Sequence, residues 1–281
     1  MLQILLTALV LGAVGMVAAA ILYVVVTRFR VDEDPRIAEI EALLPGANCG
    51  ACGCNGCHDF AVTCSRASTL QNLNCPGAGK DAMDKIASIV GLAATDAEPV
   101  VAVLRCAGAR DRRTPVALYE GPATCRVISQ SGAGCYTCAY GCLGCGDCVE
   151  ACRFGALSID PETHLPVVDD TRCTGCGQCA ARCPKSLFEM RPRGLRGMRV
   201  WVACSSRRQG ADARRECTAA CIGCGKCARA CPFDAITVTE NLAYIDPAKC
   251  RRCRKCVAVC PTGAIHTANF PQRKETDVSN V

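Results

Sequence analysis

The sequence predicts an α+β protein in which one long apolar helix precedes several small cysteine-rich units. Residues 1–27 contain no charged side chain and consist mostly of Leu, Val, Ala and Ile. All 28 cysteines of the 281-residue chain follow this stretch, and most recur at spacings of two or three residues. Aromatic residues make up only 4% of the sequence, so we expect bound metal to supply part of the folding free energy.

The apolar stretch 1–27 is long enough to cross a bilayer, because a run of about 20 such residues spans the hydrocarbon core. Arg28 and Arg30 follow it and no basic residue precedes it, so the positive-inside rule puts the rest of the chain in the cytoplasm. A signal peptide cleaved near Ala20 is the competing interpretation, but the basic n-region is missing and the run is too long. We predict a single-pass anchor over 1–27 in the cell (inner) membrane.

Cysteine at this density indicates either a disulfide scaffold or a metal protein. Disulfide scaffolds are typical of short secreted domains, and cysteines this close together rarely pair in good geometry. Zinc sites draw four ligands from two separated pairs, which does not match the repeated runs. The spacing favours iron–sulfur clusters. Each oxidised [4Fe–4S] site with four thiolates carries about −2, and a site's own charge must be counted, so the formal charge of +6 gives no reason to expect nucleic-acid binding.

Four cysteine runs in the C-terminal half have the C-x2-C-x2-C-x3-C spacing of bacterial two-cluster ferredoxins, in which the fourth cysteine ligates the cluster of the partner run. The runs come in two pairs, so we predict two ferredoxin-like 2[4Fe–4S] modules, over residues 98–192 and 197–270, and a polar tail over 271–281. The predicted ligand sets are Cys142, Cys145, Cys148 and Cys183; Cys173, Cys176, Cys179 and Cys152; Cys221, Cys224, Cys227 and Cys260; and Cys250, Cys253, Cys256 and Cys231.

The segments around these runs have the pattern of short strands. Residues 156–160 with 165–169, and 235–239 with 243–246, predict one hairpin in each module. The apolar runs 100–104 and 200–203 predict a leading strand in front of each module, ending at Cys106 and Cys204. We expect the two leading strands to lie side by side and so to bring these two sulfurs together.

A different cysteine pattern lies between the anchor and the modules, and it predicts a small [4Fe–4S] domain over residues 31–90. Glycines at positions 46, 50, 53 and 56 let the backbone wrap closely around a cluster. The predicted ligands are Cys49, Cys52, Cys57 and Cys75. The stretch from Asp34-Pro35 through Leu44-Pro45-Gly46-Ala47-Asn48-Cys49-Gly50-Ala51-Cys52-Gly53 to Gly56-Cys57, with Cys75, resembles the four-iron domain of the B subunit of the Rnf electron-transport complex. Cys54 and Cys64 have no counterpart in that pattern, and we expect them to be free thiols.

The resemblance also covers the order of the units, and two modules are typical of the long form of the B subunit. It implies an iron–sulfur electron-relay subunit of a membrane-bound, ion-translocating ferredoxin:NAD oxidoreductase. Such a subunit would accept electrons from soluble ferredoxin, or flavodoxin, and pass them to the other membrane subunits. Basic residues between the ligands of the fourth run would attract an acidic ferredoxin; these are Arg251, Arg252, Arg254 and Lys255.

The chain lacks a glycine-rich dinucleotide fingerprint and a phosphate loop, and its three histidines lie in unrelated segments. We therefore expect no direct nicotinamide or flavin binding, no nucleic-acid partner and no catalytic residue of its own. A second function stays open at this point. It is a membrane-tethered polyferredoxin that feeds a redox regulator or a hydrogenase.

The cysteines in front of the two modules repeat one pattern. Cys125-x12-Cys138-x3-Cys142 is echoed by Cys204-x12-Cys217-x3-Cys221. Five [4Fe–4S] clusters are expected, and the pattern raises the question of a sixth, assigned to Cys106, Cys125, Cys204 and Cys217 with Cys138 as the reserve ligand. Buried free thiols are the equal alternative, because free cysteine packs well as a small apolar residue. Cys135 is unassigned.

Overall fold

The computed structural model describes residues 2–28, 33–94, 96–116, 119–132 and 135–271. Helix α1 (Leu2–Arg28) contains the span Ala8–Val25, which has a mean hydropathy of 2.5 and is not buried against the rest of the protein. Among the described residues, it is the one helix long and apolar enough to cross a membrane. The predicted anchor is therefore a helix. The predicted polar tail lies, apart from Pro271, outside the described residues.

Three helices form the small domain that follows α1: α2 (Pro35–Leu43), α3 (Cys57–Arg66) and α4 (Gly79–Val90). Asp34 begins α2 by accepting a hydrogen bond from the backbone N–H of Arg36 at 3.0 Å, as N-cap residues do. The helices pack around Ile40, Phe60 and Ile86, each at most 1% exposed. This core fixes the ends of α3 and α4, next to which the predicted ligands lie.

The first module contains β1 (Val100–Leu104), α5 (Cys125–Gln130), α6 (Asp147–Glu150), β2 (Leu157–Ile159), β3 (Pro166–Val168), α7 (Gln178–Arg182) and β4 (Phe188–Pro192). Strand β2 pairs with β3 in antiparallel register, with Leu157 opposite Val168. Strand β1 pairs with β4, with Leu104 opposite Phe188. The predicted hairpin is confirmed.

The second module repeats this topology with β5 (Arg199–Val202), α8 (Gly210–Glu216), α9 (Lys226–Arg229), β6 (Ile236–Thr239), β7 (Leu242–Ile245), α10 (Lys255–Ala258) and β8 (Ile265–Ala268). Strand β6 forms the predicted hairpin with β7, and β5 pairs with β8. Short 3-10 turns at Arg110–Arg112 and Leu195–Gly197 lie outside the strands. The mixed helix and strand content agrees with the predicted α+β class.

The two leading strands, which we expected to lie side by side, do not pair in a common sheet, although Cys106 and Cys204 do line one cavity. Each leading strand instead closes its own module, β1 on β4 and β5 on β8, because that edge strand presents unpaired backbone N–H and C=O groups. The modules still meet next to these strands. Trp201 Nε1 donates to the Leu104 carbonyl at 2.9 Å, and Ser205 Oγ donates to the Arg105 carbonyl at 3.0 Å.

Arg191 on β4 also connects the two modules. Its side chain is 2% exposed, and it donates from Nη1 to the Val200 carbonyl at 3.1 Å and from Nη2 to the Ile245 carbonyl at 2.8 Å. Both carbonyls belong to the second module. A second link joins Arg199 to Asp170 at 2.6 Å. The junction is thus held by buried polar contacts, which fix the modules in one relative orientation.

Candidate iron–sulfur centres

Each cysteine run follows one local design, in which the third cysteine lies in a short helix and the residue two positions before it has a left-handed backbone. The helices are α6, α7, α9 and α10, and they contain Cys148, Cys179, Cys227 and Cys256. Left-handed φ values favour glycine, and the first three runs have glycine there. In the second and third runs, the three cysteines around this turn line one cavity.

Beside three of the four runs lies a cavity that is lined by cysteines of that run and by the predicted fourth cysteine from the partner run. This is the arrangement that cross-ligation requires. Cys183 lines the first-run cavity of about 390 Å³ together with Cys142 and Cys148, while Cys145 contacts Cys125. Cys152 lines the second-run cavity of about 330 Å³ with Cys173, Cys176 and Cys179. Cys260 lines the third-run cavity of about 360 Å³ with Cys221, Cys224 and Cys227.

Most cysteines of the remaining two predicted sets are packed in or against the cores of their units. In the fourth run, Cys231, Cys250 and Cys256 belong to the core of the second module, whereas Cys253 is exposed. In the N-terminal domain, burial raises the pKa of the Cys75 thiol, and the neighbouring thiols of Cys52 and Cys49 add to the shift. The backbone N–H of Cys57 donates to Asn48 Oδ1 at 2.7 Å, which holds the start of α3 against the cysteine loop.

The two N-terminal cysteines expected to be free thiols are close to this set. Cys64 is fully buried, and burial raises its pKa to about 12, with Cys54 adding to the shift. Cys54 Sγ lies 3.9 Å from Thr63 Oγ1. That Cys54 and Cys64 are free thiols stays a prediction.

The donor chemistry of the cavities suits a group larger than one ion. In the described part of the chain, no three Cys, His, Asp or Glu side chains converge as they would around a single metal ion. A four-iron cube takes one thiolate on each iron, so its four ligand sulfurs lie farther apart than the ligands of a single ion. The cavities, each lined by several cysteines, fit such a group.

Burial dominates the electrostatics of the candidate ligands. It raises the pKa of Cys142, Cys145 and Cys179 to about 12, and neighbouring thiols add to each shift. Without metal these thiols stay protonated at neutral pH. Iron binding must therefore displace protons, as metal binding to thiols does in general, and the positive iron core would compensate the buried thiolates.

The candidate centres are close to one another along the chain of units. Gln178 Nε2 donates to the Cys49 carbonyl, which joins the N-terminal domain to the second run. Burial raises the pKa of Cys176, and Cys49 is close enough to add to the shift. The sulfur of Cys148 is near Cys179 in the first module, and that of Cys227 is near Cys256 in the second.

The structure corrects the expected position of Cys125. Its backbone N–H donates to Asp147 Oδ1 at 2.8 Å, so the start of α5 is tied to the first run and Cys125 lines the first-run cavity. The reserve residue takes its expected place, because the cavity between the modules is lined by Cys106, Cys138, Cys204 and Cys217. The shared x3 spacing of Cys138 to Cys142 and Cys217 to Cys221 was the signal in the sequence that pointed to this arrangement. Cys135 is near Cys145.

Sequence reasoning also missed Arg113, which is 5% exposed and lines the same cavity. It is one of several arginines in the segment 105–113, and nothing in its local pattern predicts burial. The burial of Asp147, which is 4% exposed, was missed in the same way.

Family models match the cysteine-rich parts of the chain. The 4Fe-4S dicluster domain matches residues 141–187 and 220–264, and a second model of that description matches 165–232. A model described as a putative Fe-S cluster matches residues 44–65. The 165–232 match pairs the second run with the third, whereas the cavities combine the first run with the second and the third with the fourth.

Several proteins are similar over most of the chain. The B subunit of the Na(+)-translocating ferredoxin:NAD(+) oxidoreductase complex of Acetobacterium woodii is 40% identical over 242 residues, which are 86% of this chain and 71% of that protein. The B subunit of the ion-translocating oxidoreductase complex of Methanosarcina acetivorans is 38% identical, over 86% of this chain and 89% of that protein. The B subunit of the proton-translocating ferredoxin:NAD(+) oxidoreductase complex of Clostridium ljungdahlii is 38% identical, over 86% and 84%. The apolar helix and the cysteine-rich modules agree with these similarities, and the chain belongs to the family of B subunits of membrane-associated, ion-translocating oxidoreductase complexes.

Proposed function

We propose that this subunit relays single electrons from soluble ferredoxin, or flavodoxin, to the membrane partners of an ion-translocating ferredoxin:NAD oxidoreductase. The proposal takes the reaction from the names of the relatives. The observation that carries it for this chain is that neighbouring candidate centres interact, Cys49 with Cys176 between the N-terminal domain and the first module, and Cys227 with Cys256 within the second module. Electron transfer between protein-bound clusters needs such closeness, whereas a structural metal scaffold does not.

Five [4Fe–4S] clusters, each able to take up and release one electron, would be held by the five predicted cysteine sets. The thiolates bind the iron, and all but two of these cysteines are buried or half-buried, which limits the access of water. The division of each set between two runs would tie the halves of a module together. The modules would therefore depend on their clusters for part of their folding free energy.

The N-terminal domain follows α1 closely along the chain, with α2 beginning at Pro35. We place α1 as a single-pass anchor in the inner membrane and the modules on the cytoplasmic side, on the basis of Arg28 and Arg30 after the apolar span. Electrons would then enter at the second module and leave through the N-terminal domain toward the membrane subunits.

The fourth run is the proposed docking surface for ferredoxin. Arg251, Arg254 and Lys255 are exposed around the exposed Cys253, so a cluster there would lie near the surface. Arg252 and Arg254 have φ values of 59° and 61°. The other runs have glycine at both positions.

The two arginines therefore adopt a backbone conformation that costs each of them about 1–2 kcal/mol relative to glycine. Arg254 stacks on Phe270 at 4.8 Å, which holds its guanidinium in place. Strained residues of this kind are concentrated at functional sites. A basic rim around an exposed ligand favours encounter with an acidic carrier.

The function is tested on membranes that contain the tagged full-length chain. After mild solubilisation, we expect it to copurify with integral, flavin-bearing membrane subunits. The purified preparation should reduce NAD with electrons from ferredoxin. The Cys253→Ser variant should keep the subunits and lose most of this activity, because one ligand of the fourth-run set is removed. Cys54→Ser, outside every predicted set, is the matched control and should keep both.

Two results would redirect the proposal. Copurification with a soluble regulator or a hydrogenase, and without flavin-bearing membrane subunits, would support the tethered polyferredoxin instead. Full ferredoxin-dependent activity in the Cys253→Ser variant would exclude the fourth run as a necessary part of the path.

A further inference from the structure

A cavity at the junction of the two modules is lined by four cysteines that the five proposed clusters do not use. Cys106 and Cys138 come from the first module, and Cys204 and Cys217 come from the second. The cavity has a volume of about 310 Å³, close to the 330–390 Å³ of the three cavities at the ferredoxin-type runs. Its size and donor set therefore match those of the other candidate centres.

The two halves of this junction cavity are related by the module repeat. On one side, the backbone N–H of Cys142 donates to Cys106 Sγ at 3.4 Å. On the other side, the backbone N–H of Cys221 faces the sulfur of Cys204, which also accepts from the N–H of Ser206 at 3.5 Å. Cys142 and Cys221 are the first cysteines of their runs. In each module, a cysteine of the cavity is therefore hydrogen-bonded to the backbone of a predicted ligand, Cys106 to Cys142 and Cys204 to Cys221.

Two glycines line the junction cavity. A Cβ atom at Gly108 would lie 2.9 Å from Arg113 Cδ and 3.3 Å from Cys217 Sγ. A Cβ atom at Gly141 would lie 3.2 Å from Arg113 Nη1 and 3.6 Å from Cys138 Sγ. A side chain at Gly108 would therefore press on Arg113 and Cys217, and one at Gly141 would press on the guanidinium.

Arg113 brings a buried positive charge to this cavity. Its guanidinium stacks on the Tyr136 ring at 3.9 Å, and Nη1 donates to the Cys142 carbonyl. Its Nε and Nη2 atoms are buried, and they have no hydrogen-bond partner among the described residues. Buried donors without partners are rare and costly. Two such donors on a charged group beside four cysteines indicate that an anionic acceptor belongs in the cavity.

We propose that Cys106, Cys138, Cys204 and Cys217 hold a sixth [4Fe–4S] cluster and that Arg113 donates its two free N–H groups to it. The thiolate-bound cluster is an anion of about −2, so it would neutralise the buried guanidinium and satisfy its donors. Buried free thiols, the alternative, would leave the guanidinium without an acceptor. The cluster would also fill the interval between the two modules, where the five-cluster relay has no centre.

The electron-carrying role of this site rests on the proposed relay, whereas iron binding does not. An electron crossing the junction would reduce the site by one electron, from [4Fe–4S]²⁺ to [4Fe–4S]¹⁺, and then leave for the neighbouring module. No bond forms or breaks. Arg113 acts here as a positioning residue, because hydrogen bonds and charge near the sulfurs set the potential of such clusters.

The metal site is tested by iron and acid-labile sulfide analysis of the full-length chain, purified in detergent without oxygen and reconstituted. At four irons per cluster, we expect about 24 irons per chain for the parent and about 20 for Cys138→Ala. Cys54→Ala is the control, since this cysteine belongs to the N-terminal domain, lies outside every predicted ligand set and does not line the junction cavity. It should retain the parent iron content.

The parent protein also decides the matter if Cys138→Ala fails to fold. About 20 irons in the parent, or equal iron in the parent and in Cys138→Ala, would overturn the proposal. So would one equivalent of zinc that is lost in this variant. None of these measurements involves ferredoxin or partner subunits, so failure of the proposed relay and failure of this site give different results.

The role of Arg113 has its own test by redox titration followed by EPR. Arg113→Gln should keep the iron content and move one midpoint potential to a more negative value, because loss of the positive charge disfavours the reduced, more negative cluster. Arg113→Lys should restore most of this shift. A purely structural arginine would leave every midpoint where it is in the parent, and that result would remove Arg113 from the proposal.

Discussion

The substitution Arg191→Met should loosen the junction between the two modules without removing a cluster ligand. Arg191 donates to the carbonyls of Val200 and Ile245 and pairs with Glu189 at 3.0 Å. Methionine fills part of the same space but makes none of these bonds. Two backbone carbonyls lose their donor, and Glu189 retains Tyr244 Oη at 2.9 Å and Arg105 at 3.6 Å.

The expected size follows from the burial of this contact. Hydrogen bonds that involve a charged group contribute about 1.5–3 kcal/mol each, and breaking a buried ion pair costs about 3–5 kcal/mol. We take about 3–5 kcal/mol as the loss in the free energy of local opening. Since about 1.4 kcal/mol corresponds to a factor of ten, amides in β5 and β7 should exchange about 100 to 4,000 times faster.

Hydrogen–deuterium exchange of the iron-loaded chain measures this change directly, with iron analysis to confirm that the clusters remain. The matched control is Arg215→Met on α8, whose partner Asp212 lies at 3.3 Å with side chains 80% and 54% exposed. Such a surface pair contributes about 0.3–0.5 kcal/mol, so exchange should change by about threefold or less. Equal exchange in the two variants would refute the argument that Arg191 holds the junction.

Three further predictions concern the sites and the anchor. Cys183→Ser should alter the EPR signal of the first-run cluster and spare that of its own run, because its sulfur lines the first-run cavity; damage to its own run alone would contradict cross-ligation. A chain lacking residues 1–30 should be soluble, brown and fully loaded with iron, and a failure to assemble clusters would show that α1 does more than anchor. Reversing the charge of Arg251 and Arg254 together should slow reduction by ferredoxin about tenfold at low salt and flatten its salt dependence in stopped-flow measurements, whereas reversal of Arg215 should not; equal rates would exclude this surface as the docking site.

The local features of this protein could be predicted from its sequence. Each module run places three of a cluster's four predicted ligands within seven residues, so spacing alone indicated the four module runs, and close spacing likewise indicated the N-terminal motif. The hairpins β2–β3 and β6–β7 have an alternating apolar pattern and turns of a few residues, and both formed as predicted. The apolar stretch over α1 is a property of composition and needs no tertiary contact. In each case the determining interactions lie close together along the chain.

Contacts between distant residues were decided only by the tertiary structure. Strand β1 could have paired with β5, but the edge of β4 was available within its own module. Cys125 and Cys138 were both reasonable junction ligands until Asp147 fixed the start of α5 beside the first run. Arg113 is one arginine among several in the sequence, and its burial depends on Gly141 and on the packing of the second module. Local spacing carries no information about which of several equivalent groups becomes desolvated, because that depends on how separately formed units pack against each other.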